Sequence, residues 1–236
     1  MRLSVVMPVY NEAKTIEEAV RRVRKVPISK EVIIVDDGST DGTQDILKRV
    51  AEDSTTPADS QNEIAVFFQP ENQGKGAAIK AGLARVKGDI VLIQDADLEY
   101  DPQDYVKLLE PILSGHADVT YGSRFSGGGP HRVLYFWHYL GNQMLTLFSN
   151  MITNLNLSDM EVGYKVFRTD VLKDIDIKSK RFGFEPEITV KLAKKGCRIY
   201  EVPISYYGRT YQEGKKITWK DGIEALYTLI RFRFWD

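Results

Sequence analysis

Two short acidic segments, DDGSTDGT at 36–43 and QDADLEYDP at 94–102, concentrate the residue types best suited to chemistry in this chain. Each follows an apolar run that reads as a strand, EVIIV at 31–35 and DIVLI at 89–93. The adjacent Asp36 and Asp37 repel one another unless a cation or hydrogen-bond donors stand between them. Asp95 and Asp97 flank one small residue. An Asp-x-Asp at a strand end suits a divalent cation, which takes oxygen ligands and shares them with phosphates. Glu99 continues the alternation as a third ligand or a supporting group. Taken singly, either segment is also explained by turn and cap chemistry, since Asp, Gly, Ser and Thr favour turns. Between them lies ENQGKGAAIKAG, 71–82. It places Gly74 and Gly76 at a helix start, where backbone can approach a ligand and Lys75 can meet a phosphate. The spacing is not that of a P-loop, and no GxGxxG follows the first strand, which speaks against a nicotinamide or flavin enzyme.

The elements that must position these groups alternate over the first 120 residues. Leu3–Val9 is an apolar, β-branched run. Asn11 is expected to cap a helix over 13–25 whose apolar face is Ile16, Ala19, Val20 and Val23. Helices are expected over 42–51 and 75–86, strands over 64–68 and 119–121, and a polar loop over 53–62. Pro102 suits the first position of a helix reaching Leu113, with Asp101 before it. Such alternation implies an α/β fold, Rossmann-like, with a mainly parallel sheet and helices on both faces. Ligands bind beyond the carboxyl ends of the strands in such sheets, and the polar clusters fall at those ends. The second half reads as helical over 132–157, 182–196 and 218–233, with a strand at 198–202 and a basic, aromatic loop at 206–216. It amounts to a C-terminal helical elaboration.

Five motifs occur in order: PVYNE (8–12), VDDGSTDGT (35–43), NQGKGAA (72–78), DADLEYDP (95–102) and YGSRF (121–125). The chain therefore resembles the inverting family 2 glycosyltransferases of GT-A fold, and among them the dolichyl- or polyprenyl-phosphate mannose and glucose synthases. The resemblance implies a GT-A domain over 1–217, with the amphipathic helix 218–236 belonging to the same domain. It implies a nucleotide-diphosphate sugar donor, GDP-mannose in preference to UDP-glucose, and a Mg²⁺ or Mn²⁺ cofactor. Pro8, Tyr10, Glu12, Asp36, Asp37, Asn72 and Lys75 would line the nucleotide site. Asp95 would lie against the ribose and sugar, and Asp97 with Glu99 would bind the metal. The family commonly carries glutamine where this chain has Glu99. Arg209 and Lys215, in the loop after the last strand, would close over the diphosphate.

A metal-bound leaving group accounts for one half of such a transfer. A hydroxyl acceptor also needs a general base, whereas a lipid phosphate is already an anion and needs cations to hold it. Arg124 of the GSRF motif is the first candidate and Arg132 the second, with His138 and Asn142 four residues apart on one helix face. Asp159 and Glu161, in SDMEVGYKVFR, fall where the family carries an acid before a Gly-aromatic-basic run. One of them is expected to touch the sugar or the acceptor. Two other readings remain: a family 2 enzyme acting on a sugar or glycolipid hydroxyl, with one of these acids as base, and an inactive scaffold that binds nucleotide and membrane.

Charge sharpens the acceptor side. The chain's 236 residues carry 32 Lys+Arg and 33 Asp+Glu, a balance that argues against a nucleic-acid partner. Yet Val119 to Ser158 contains no acid, where the average predicts roughly five or six, and carries Arg124, His131, Arg132 and His138 among aromatics. Such a stretch suits an anionic membrane interface. The terminal segment, with Arg231 and Arg233 between aromatics, repeats the pattern or serves a homo-oligomer contact. No apolar run approaches the roughly 18 residues of a membrane span. The start lacks a signal-peptide pattern, and Cys197 is the single cysteine. The expectation is a cytoplasmic enzyme lying on the cytoplasmic face of a membrane.

Overall fold

The computed structural model describes residues 2–53, 62–127, 131–133, 135–210, 212–214 and 219–235. Its centre is a seven-stranded sheet in the order β3-β2-β1-β4-β6-β5-β7. β1 (Leu3–Val9), β2 (Lys30–Asp36), β3 (Asn62–Phe68) and β4 (Ile90–Ile93) run parallel, β1 lying between β2 and β4. Every residue of β1 and of β2 is buried, which is why their central segments, VVMPV and VIIV, read as apolar runs rather than as an alternation. β5 (Val119–Ser123) pairs parallel with β7 (Ile199–Pro203).

β6 (Lys165–Arg168) is the departure from the sequence expectation. It inserts antiparallel between β4 and β5 and joins the two halves of the sheet. Four residues that include Lys165 and Arg168 carry no strand signal of their own. They become a strand because β4 and β5 pair with them from either side; Lys165 is fully buried there, its Nζ donating to the carbonyls of Met160 and Val162 at 3.0 and 2.5 Å.

The helices are α1 (Ile16–Lys25), α2 (Thr43–Asp53), α3 (Lys75–Leu83), α4 (Tyr105–Leu113), α5 (Phe136–Thr153), α6 (Thr169–Leu172), α7 (Phe184–Lys194) and α8 (Trp219–Phe234). α1 buries Ile16, Ala19, Val20 and Val23, the face expected from its spacing. Asn11 is not its cap. The helix starts five residues later, and Asn11 takes the left-handed conformation (φ 53°), with its side-chain oxygen accepting from Thr40 N at 2.8 Å. A short polar side chain tolerates that conformation, and here it ties the end of β1 to the loop after β2. Pro102 opens a 3₁₀ turn leading into α4, and Asp101 caps it by accepting from Gln103 N at 3.0 Å. α8 packs against α5 and α7, and its Leu229 and Phe232 join the apolar cluster that contains β1.

Candidate active site

The carboxyl ends of β1, β2 and β4 open into a cavity of about 1310 Å³. Of the residues expected to bind nucleotide, metal, sugar or acceptor by their side chains, all line it except Asp36, Asp159 and Lys215. Lys215 lies outside the described residues.

At one end of the cavity, three carboxylates surround one guanidinium. Arg209 contacts Asp97 at 2.9 Å, Glu12 at 3.2 Å and Glu99 at 3.4 Å. Glu99 also accepts from Arg209 N and from the Tyr206 hydroxyl, at 2.8 and 3.0 Å. These acids come from the loops after β1 and β4, and Arg209 reaches them from the segment after β7. Leu98 adopts φ 63° between the two acids. A branched side chain pays roughly 1–2 kcal/mol for that conformation, and the strain sits where Glu99 N donates to Asp97 Oδ1 at 3.2 Å. Burial, together with Glu99 and Asp95, pushes the Asp97 carboxyl up to about 7 even though Arg209 opposes the shift. The end is thus over-supplied with negative charge. Its donors are all carboxylate oxygens, the chemistry a hard divalent cation prefers. Among the described residues no group of three acids converges as a complete metal cage. The arrangement therefore fits an ion held by one or two carboxylates and completed by a ligand's phosphates.

The adjacent acids of the other motif part company. Asp37 accepts from Gln73 N (2.9 Å) and Gly74 N (2.7 Å) and so holds the 71–74 loop in place. Burial pushes its carboxyl up, against those two amides. Asp36 is turned away from the cavity: its Oδ2 accepts from Ser39 N and Gln44 Nε2. Its expected place beside the nucleotide is thereby corrected, since Asp36 shapes the loop that carries Asp37.

The expectation for Gly74, Lys75 and Gly76 also changes. A Cβ on Gly74 (φ 101°) would stand 2.3 Å from Lys180 O, and one on Gly76 2.2 Å from Ser179 O. The helix-start amides of Gly76 and Ala77 donate to Arg181 O and Lys180 O. The glycines therefore admit the chain's own 179–181 segment, while Gly74 still lines the cavity. Lys75 Nζ lies 2.9 Å from both Asp95 and Glu185. Burial pulls its pKa down, but the two carboxylates outweigh this and hold it well above the ordinary value. Sequence reasoning missed Glu185 altogether. An acid in the first turn of an expected helix is ordinary, and nothing local shows that it reaches Lys75, 110 positions away.

Farther along the cavity, Arg124 makes a bidentate pair with Asp159, 2.7 Å at both contacts. Asp159 is fully buried and also accepts from Arg124 N and Asn142 Nδ2. Glu201 of β7 takes the backbone amides of Ser158 and Asp159, at 2.9 and 3.1 Å, and so fixes the turn. Of the two acids of which one was expected to touch a ligand, Asp159 is not among the residues lining the cavity and supports Arg124. Arg132 reaches Gly208 O (3.1 Å) and Glu213 (2.8 Å), and the His138 ring lies 5.3 Å from that of Tyr135.

Glu161 is the acid that does line the cavity. Burial, reinforced by Glu185, pushes its carboxyl up to about 8. The sign of the linkage is definite. A folded-state value above the ordinary 4.5 contributes stability below about pH 4.5 that is lost as the pH rises toward 8. Glu161→Gln is therefore expected to raise Tm relative to wild type by an amount that grows between pH 5 and pH 8 and then levels. Thermal melts across that range measure it, and a constant difference contradicts the assignment.

The far end of the cavity is apolar. α5 contributes Met144, Leu147 and Met151, and α8 contributes Trp219, Ile223 and Leu226. Trp137, Met151 and Trp219 of its lining, and Trp235 beyond it, are each more than 70 % exposed. Among the described residues, no helix is long and apolar enough to cross a membrane.

Comparison with known proteins agrees with this geometry. The profile of Glycosyl transferase family 2 matches residues 4–176. The chain is 33% identical over 226 residues to the undecaprenyl-phosphate mannosyltransferase of Micrococcus luteus, covering 91% of this chain and 87% of that protein. It is 30% identical over 214 residues to the polyprenol monophosphomannose synthase of Mycolicibacterium smegmatis, covering 88% and 78%. The fold is shared with glucosyl-3-phosphoglycerate synthase from Mycobacterium tuberculosis, solved with Mn²⁺, uridine diphosphate and phosphoglyceric acid. The TM-score is 0.73 at 20% identity, over 98% of this chain and 78% of that one. The α/β architecture is thus that of the GT-A glycosyltransferases.

Proposed function

The chain belongs to glycosyl transferase family 2, and from that footing we propose that it transfers a hexose, with inversion, from a nucleotide-diphosphate sugar to a polyprenyl or dolichyl phosphate. One observation carries this reading. A single cavity joins a carboxylate end to an apolar end, with Arg124 at the junction, held by buried Asp159. The relatives' printed activities favour mannose, and GDP-mannose is the preferred donor over UDP-glucose.

In this reading Tyr10, Glu12, Asp37 and Asn72 border the nucleotide, while Asp97 and Glu99 would hold a Mg²⁺ or Mn²⁺ ion. Such an ion supplies positive charge to the diphosphate as it leaves. Arg209, already bonded to Asp97 and Glu99, stays at the same end and adds a donor to that charge. Lys75, clamped between Asp95 and Glu185, keeps Asp95 oriented toward the sugar. Arg124 presents its guanidinium to the acceptor phosphate, which attacks the anomeric carbon as a preformed anion and needs no general base. Asn142, His138 and Arg132 surround the same phosphate. The exposed aromatic and aliphatic side chains of α5 and α8 rest on the membrane surface that supplies the lipid. The enzyme accordingly works at the cytoplasmic face.

The test is transfer by the purified protein from radiolabelled GDP-mannose or UDP-glucose to undecaprenyl phosphate in anionic vesicles, with Mn²⁺, Mg²⁺ or EDTA. A metal-dependent, butanol-extractable glycolipid is expected. Nucleoside diphosphate at 100 times its Kd should stabilise the fold by about 2.7 kcal/mol. Transfer only to a hydroxyl-terminated lipid overturns the acceptor assignment. No thermal shift with any nucleotide overturns the transferase reading, whereas a shift without transfer from either donor leaves the scaffold reading standing.

A further inference from the structure

The geometry points to Glu161 as a residue that determines which sugar is transferred, its carboxyl hydrogen-bonding a ring hydroxyl of the hexose between Asp95 and Arg124. This deepens the donor reading above and rests on it.

The turn that carries Glu161 is fastened at both ends to opposite walls of the cavity. Two residues before it, Asp159 grips Arg124 on the acceptor side. Two residues after it, Gly163 abuts the donor side: a Cβ there would stand 2.2 Å from Asp95 Oδ2, and its N–H donates to the Tyr100 hydroxyl at 2.9 Å. Glu161 lines the same cavity as Asp95 and Arg124, on the short turn whose flanking residues touch both, so it is within that cavity for the sugar that transfer brings between them.

Among the described residues nothing satisfies it fully. Its Oε1 is shut off from solvent and has no hydrogen-bond partner. Buried polar atoms are nearly always paired, and an exception calls for a reason. The neighbouring cation, Lys165, gives its hydrogen bonds to the carbonyls of Met160 and Val162, the residues on either side of Glu161. It thereby braces the turn without neutralising the carboxyl through a hydrogen bond.

The surroundings state what kind of group belongs there. Glu185 and, more weakly, Asp159 act on Glu161 as like charges against Lys165 and Arg124, and with burial the balance keeps its carboxyl raised, so this acid offers a further anion no complementary charge. An apolar group would leave the carboxyl unpaired. A neutral hydroxyl suits it, because burial keeps this acid protonated near neutral pH, and a protonated carboxyl both donates and accepts. A site built to bond one hydroxyl rejects the analogue that lacks it far more strongly than an apolar pocket rejects a methylene.

The experiment is a cycle between protein and sugar. Wild type, Glu161→Gln and Glu161→Ala are assayed with the 2-, 3-, 4- and 6-deoxy forms of whichever donor, GDP-mannose or UDP-glucose, wild type transfers. Glu161→Ala should lower kcat/KM for the parent donor by about 10²-fold or more. One deoxy donor should be poor for wild type yet no worse than the parent for Glu161→Ala. Glu161→Gln, which keeps a donor and an acceptor, should restore most of the discrimination. Affinity for free GDP or UDP should be the same in all three proteins.

Equal deoxy penalties in wild type and Glu161→Ala overturn the proposal, as does a loss of free-nucleotide affinity that matches the loss in kcat/KM. Wild-type turnover separates the two levels. No transfer from either donor overturns the transferase reading itself, whereas turnover without coupling overturns the role of Glu161 alone.

Discussion

Asp97→Asn is expected to lower kcat by on the order of 10³-fold while raising the melting temperature. The first effect follows from charge. Departure of a nucleoside diphosphate builds negative charge at the end of the cavity where Asp97 sits, and removing one preorganised stabiliser of such charge costs about 10²–10³-fold. Asparagine keeps the shape but loses the charge that would hold a divalent cation, so the upper end of that range applies. The second effect follows from crowding. Glu99 and Asp95 both act on Asp97 as like charges, and Arg209 retains Glu12 and Glu99 as partners when Asp97 is neutral. Relief of repulsion at a functional site, at the expense of activity, is a familiar trade. Steady-state transfer and thermal melts on one preparation measure both. Retained activity refutes the role in transfer, and a lowered Tm refutes the account of the electrostatics.

Arg124 and Asp159 give the second large effect. Asp159 is fully buried, so Arg124→Ala leaves a carboxylate whose remaining side-chain donor is Asn142, at 3.2 Å. Breaking a buried ion pair from one side costs about 3–5 kcal/mol, or on the order of 10 °C in Tm for a chain of this size. Asp159→Ala should cost a similar amount for the mirror-image reason. The double variant should be more stable than the sum of the singles implies, because neither charge is stranded. Activity should behave differently. If Arg124 holds the acceptor phosphate, the double variant regains stability but not transfer. Arg124→Lys should also fail, since an ammonium cannot reproduce the bidentate fork. Transfer restored in Arg124→Ala/Asp159→Ala would show that the pair is purely structural.

The fold was legible wherever a local pattern and the global sheet demanded the same thing. β1 and β2 are apolar through their central segments, VVMPV and VIIV, because a central parallel strand is covered on both faces. α1 buries the four residues that its spacing picks out. β6 was not legible. It is four residues long, includes a lysine, and becomes a strand only because β4 and β5 pair with it from either side. Asn11 was misread because its side chain serves the loop after β2, a contact 29 positions away.

The acids of the site were legible as types and not as partners. DDGSTDGT and DADLE stand out in the sequence, and right-handed crossovers bring such strand ends to one edge without further information. Which of two adjacent acids faces the cavity is another matter. Asp37 lines it and Asp36 does not. A single step along an extended backbone reverses a side chain's direction, and composition says nothing about which way it points.

Taken alone, the amino-acid sequence determined the strand–helix alternation, the order of five motifs, the family they mark, and the segregation of acids from a stretch of forty residues without one. Those features depend on residue type and short spacing, which the chain carries whether folded or not. Tertiary structure decided the pairings: Arg124 with Asp159, Lys75 with Asp95 and Glu185, Arg209 with Glu12, Asp97 and Glu99, and Glu161 with none of these cations. Glu12 and Arg209 stand 197 positions apart and Lys75 and Glu185 110. Contacts of that span form only when the packed sheet has already met the entropy of closing the chain between them, so no local pattern can encode them.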